Sequence, residues 1–64
     1  MNAYEQDRAA IKAGNSVEVM KRRKADIIEL EKELAATKNS FRASIIAHDL
    51  RQHRAEYTCL DNLI

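Results

Sequence analysis

Residues 43–64 read ASIIAHDLRQHRAEYTCLDNLI, and the fold follows from where the apolar side chains fall in that stretch. Ala43, Ile46, Leu50, His53, Tyr57, Leu60 and Ile64 are spaced 3, 4, 3, 4, 3, 4. This is a heptad stripe along one face of an α-helix, apolar except for one histidine. The residues between are mostly charged, polar or alanine, so the stripe must be covered by another part of the chain or by another chain.

Upstream, Met20, Ile27 and Leu34 recur every seven residues, with Arg23, Leu30 and Thr37 at the intervening heptad positions. This second seam is less pure than the first. Ile28 and Ala35 flank it, while Glu29, Glu31, Lys32 and Glu33 belong mostly to the solvated side. The two stripes are out of frame by two residues, roughly 200° around a helix. A single straight helix would point them in nearly opposite directions, whereas a break lets both face one core. Asn39-Ser40 lies at the slip and carries turn and cap chemistry. The spacing therefore predicts an antiparallel αα-hairpin of about 16–38 and 41–62.

Ahead of it, residues 2–13 read as a short helix whose thin apolar face is Ala3, Tyr4, Ala10 and Ile11. A helix of about 12 residues is marginal alone in water and needs docking. Gly14, the only glycine, marks its end, where a left-handed residue is cheapest. Asn15 and Glu18 have the spacing of a capping box for the next helix.

The composition agrees with an all-α chain. There is no proline, aromatics make up 5% and charged residues 33%, and no β-alternating segment occurs. The 64 residues form one small domain, 1–64, and a core of this size supplies only about 3–5 kcal/mol. With Cys59 as the single cysteine, no intrachain disulfide can add to that. Either the first helix closes a three-helix bundle or two hairpins pair into a four-helix bundle. The thin first helix favours a homodimer, with Ile46, Leu50, His53, Tyr57, Leu60 and Ile64 at its interface.

Several chemistries find no support. No apolar run exceeds three residues, so neither a membrane span nor a signal-peptide core is expected. A lone unpaired cysteine suits a reducing cytoplasm. His48, His53 and Cys59 are five and six residues apart, which spreads them around a helix rather than onto one metal, and neither a metal nor a cofactor is expected. No glycine-rich phosphate loop and no nucleophile with a positioned base is present, so the chain is expected not to be an enzyme. The net charge of +1 makes no general nucleic-acid magnet.

Three features remain. Lys21-Arg22-Arg23-Lys24 is the one basic block. It can contact phosphates, but four consecutive residues span about 300° of a helix, and Asp26, Glu29, Glu31 and Glu33 follow at once; a solvated helix surface is the simpler account. His53 on the apolar stripe is either a half-exposed seam residue bonded to Asp49 or a polar, proton-sensitive register device. Tyr4 and Tyr57 can act as contact anchors, though helical spacing assigns Tyr57 to the core.

The opening Met1-Asn2-Ala3-Tyr4-Glu5-Gln6-Asp7-Arg8, the small size and the helical design resemble the small early-region accessory proteins of lambda-like bacteriophages. The resemblance implies a cytoplasmic accessory protein that binds a host protein and so modulates host processes or the lytic–lysogenic choice. It assigns no functional residue. The expectation is a helical protein-interaction module, with a small nucleic-acid-binding regulator using Lys21 to Lys24 as the alternative.

Overall fold

The computed structural model describes residues 2–64 and contains three helices. These are α1 (Ala3–Lys12), α2 (Ser16–Ala36) and α3 (Ser40–Asp61), with no strand among the described residues. The hairpin of α2 and α3 is the main body, and α1 packs against both. The molecule measures 41 × 19 × 17 Å.

Each expected boundary has a local cause. Asn2 caps α1, its side chain accepting from the Glu5 amide at 2.8 Å. At the other end of α1 the amide of Gly14 donates to Ile11 and that of Asn15 donates to Ala10. That pair of bonds is a Schellman closure, and it requires the left-handed backbone that Gly14 adopts at φ 96°. The capping box expected at Asn15 does not form, because Asn15 makes no side-chain cap hydrogen bond. Its backbone, at ψ 31°, is not in the extended conformation that swings a cap side chain over the first turn. The Schellman closure has already set that geometry.

The break between α2 and α3 occurs without glycine or proline. Thr37 turns extended, at ψ 139°, and so does Asn39, at ψ 117°. Asn39 then accepts from the Arg42 amide at 2.9 Å and starts α3. With the chain folded back there, both heptad stripes face inward. Met20, Arg23, Ile27, Leu30, Leu34 and Thr37 on α2 are all buried or half-buried. The same holds on α3 for Ala43, Ile46, Leu50, His53, Tyr57 and Leu60.

The third helix does not run the length of this seam. Ten residues of α1 span about 15 Å, against about 32 Å for α2. It covers the end where α2 begins and α3 finishes. There Ile11, Val19 and Leu60 form a core cluster, joined by Tyr4, Ala10 and Met20. Leu60, 0% exposed, is the one large side chain completely enclosed among the described residues. Burial of a leucine to this degree contributes about 1.5–3 kcal/mol.

Candidate interaction surface

Two features of the chain are unaccounted for by apolar packing: a set of charges inside the closed end, and exposed apolar side chains at both ends, Val17, Leu63 and Ile64 at the closed one and Phe41 and Ile45 at the open one. The charges come first, because they fix where α1 sits. Tyr4, Asp7 and Ile11 follow a 3, 4 spacing, so the face that α1 buries has an aspartate at its centre. Asp7 is 6% exposed and Arg23, on the facing seam of α2, is 3% exposed. Arg23 Nε donates to Asp7 Oδ2 at 2.6 Å and Nη1 donates to Glu56 Oε1 of α3 at 3.3 Å. Arg22, half exposed, donates to Asp7 Oδ1. One guanidinium thus ties all three helices together. Burial disfavours its charge, but the hydrogen bonds to Asp7 and Glu56 outweigh that and hold Arg23 above its ordinary value. Its contribution to stability is complete throughout the usual pH range and fades only at pH above the ordinary arginine value.

This arrangement divides the basic block. Arg23 is withdrawn from any contact with phosphates because it occupies a seam position, and Arg22 is engaged by Asp7. Lys21 and Lys24 are left exposed. Lys21 and Lys24 therefore lie on the exposed surface of α2 and Arg23 does not. Asp7 and Glu56 carry no signal of their own in the sequence. They become legible only in combination, as acids placed where their helices meet a cation on a third.

Past the end of α1 the hairpin is a bare pair of helices. Phe41 is 76% exposed, Ile45 49% and Ile28 42%. One helical turn beyond Arg22, on the side where α1 docks, Asp26, Glu29 and Leu30 of α2 and His53 of α3 line an open cleft of about 230 Å³. The Nδ1 atom of His53 is buried without a hydrogen-bond partner, so no bond to Asp49 forms through it. On the opposite flank of the hairpin, Arg54 and Glu31 bridge the helices at 2.8 Å, an exposed pair worth about 0–1 kcal/mol.

The six residues expected at an interface are distributed unevenly. Ile46, Leu50 and Leu60 are buried within a single chain; His53 and Tyr57 are half-buried. Ile64 lies beyond the end of α3 and is 68% exposed. His48 and Cys59 are exposed, and no group of three or more His, Cys, Asp or Glu is placed to hold a metal among the described residues. No helix of the described residues is long and apolar enough to cross a membrane. The chain matches no protein-family model, no curated protein and no solved structure.

Proposed function

We propose that this chain is a non-enzymatic, cytoplasmic helical protein-interaction module whose working surface is the half of the hairpin that α1 leaves uncovered. The observation that carries this reading is the exposure of Phe41 and Ile45, one turn apart on α3, at the end of the hairpin that α1 does not reach. An exposed apolar pair on one helix face is the kind of feature that marks a contact surface on a small fold. The resemblance of the first eight residues to phage early-region accessory proteins supports a host protein as the target. Pairing of two copies through the same end is a second use of that surface, motivated by the small core of a 64-residue chain.

The test compares the native chain with a Phe41→Ser/Ile45→Ser variant. Light scattering over a concentration series reads self-association, and the melting temperature rises with concentration if association stabilises the fold. Capture from host lysate reads the partner. The native chain is expected to retain a defined protein that the variant loses, while the variant keeps its helical content. Identical recovery by both chains, with monomeric mass throughout, would overturn the reading.

A further inference from the structure

The groove that α1 partly fills reverses its charge along its length. Where α1 lies, α2 presents Arg22 and Arg23, and the helix in the groove supplies an acid, Asp7. One turn further on, α2 presents Asp26, then Glu29, and a turn later Glu33. Positions three and four apart stay on one helix face, so these acids extend the row that begins at Arg22. On α3 the row that meets Arg23 through Glu56 runs back through Gln52, Asp49 and Ile45 to Arg42, the one exposed cation of the row. Asp26, Glu29, Glu33 and Asp49 are all exposed, and none has an ion-pair partner among the described residues. Glu31, on the opposite flank, has one in Arg54.

The floor between these acids is made by Leu30 and His53, and Ile45, 49% exposed, follows further along the α3 row. The His53 Nδ1 atom is itself enclosed and unpaired and forms no part of the open surface. The vacant stretch is about as long as α1 itself, since α1 spans about 15 Å of a hairpin of about 32 Å. A floor built on Leu30, a length of roughly three turns, and walls that carry Asp26, Glu29, Glu33 and Asp49 against the single cation Arg42 specify an occupant by complementarity. The spare cations of this chain do not supply it. Arg8 and Lys12 sit on α1, Lys21, Lys24 and Lys32 on α2, and Arg42 and Arg51 on α3, and the apolar faces of all three helices are already used within the fold.

We infer that this second half of the groove receives a short cationic amphipathic helix from a partner protein, laid in line with α1. The inference rests on the interaction-module reading and names the class of partner. In the complex the apolar stripe of that helix covers Leu30 and Ile45, and its lysines or arginines meet Asp26, Glu29, Glu33 and Asp49. Charge complementarity of this kind speeds encounter and selects the partner, and it makes the affinity sensitive to salt.

The probe is a fluorescein-labelled helical peptide of about ten to twelve residues, with leucines spaced three and four apart and lysines on both flanks; its control carries glutamates in place of the lysines. Polarisation with the full chain is expected to saturate for the cationic peptide only, and to weaken with added salt. Neutralising the groove with Asp26→Asn/Glu29→Gln should weaken binding roughly tenfold, whereas Glu31→Gln on the other flank should change it by less than about twofold. Amide shifts on binding should fall on residues 26–30, 45–49 and 53. Circular dichroism of each variant confirms that the helices persist, and the Asp26→Lys/Glu29→Lys reversal, which should abolish binding, is read only if it passes that check. Absence of saturable binding, equal affinity for the glutamate peptide, or indifference to the neutralised groove would overturn the assignment. So would concentration-dependent shifts at these residues without peptide, which would give the groove to a second copy. If the peptide fails while Phe41→Ser/Ile45→Ser still loses its lysate partner, only the groove assignment falls; if both fail, the interaction-module reading falls with it.

Discussion

At one end of the hairpin Leu60 is fully enclosed beneath α1, and Arg23 reaches acids on two other helices; at the other end Phe41 stands on a bare pair of helices with most of its surface in water. The ends also differ in how their turns are held. The closed end uses backbone bonds around Gly14, together with tertiary contacts, and Asn15 contributes no side-chain cap. The open end relies on the Asn39 side chain, because no third helix reaches it. A small chain has thus placed its three-helix packing at one end, while Ile46 and Leu50 are buried outside that cluster. Uneven packing of this kind lets one part of a fold maintain structure while another is available for contact.

The contrast would break first at Arg23. Arg23→Ala leaves Asp7 buried without its main cation, and loss of one partner of a buried pair costs about 3–5 kcal/mol, comparable with the whole stability expected of such a core. Urea denaturation is expected to show a collapse of the midpoint and loss of α1 protection in hydrogen exchange. A shift under about 1 kcal/mol would mean that α1 is not anchored by this cluster. Replacing the cluster together, as Asp7→Leu/Arg23→Met/Glu56→Gln, should restore most of that loss, since well-packed apolar substitutes for buried ion pairs are often neutral or stabilising.

Truncation of the two seams sharpens the comparison. Leu60→Ala should cost about 3 kcal/mol, within the range for enclosed leucines. Leu34→Ala, at a half-buried position near the open turn, should cost roughly half as much, because less surface is returned to water. Equal losses in the same denaturation series would show that the open end is covered after all.

The two asparagine caps separate the ends at lower energy. Asn39→Ala removes a formed side-chain bond and should cost about 1 kcal/mol, while Asn15→Ala should cost only a few tenths. Thermal melts that rank them the other way would contradict the turn geometries. The smallest effect is at Phe41. Phe41→Ser should leave the monomer within about 0.5 kcal/mol of the native chain at low concentration, since an exposed side chain contributes little. Any large loss there would mean that its ring is packed in solution.

Much of this was legible from side-chain spacing. The heptad frames of α2 and α3, their slip near Asn39 and the left-handed glycine at 14 are local or periodic signals, and each marks the element it was expected to mark. The open cleft beside Leu30 and His53 was not legible, because its walls come from two helices and its boundary from where a third one stops. Asn15 shows the same limit in miniature. Its residue type and its spacing from Glu18 suit a cap, yet the preceding turn had already committed its backbone.

The amino-acid sequence by itself determined three helices, the hairpin and the faces that had to be buried, because helix periodicity and chain breaks are properties of neighbouring residues. Only the tertiary structure decided which charges would be interior. Asp7 and Glu56 lie 16 and 33 residues from Arg23, and although Arg23 holds a heptad position, nothing local distinguishes the two acids from the solvated charges beside them. Their pairing exists because docking α1 across the seam excludes water from Arg23 and Asp7, and a guanidinium deprived of water needs carboxylates within hydrogen-bonding distance.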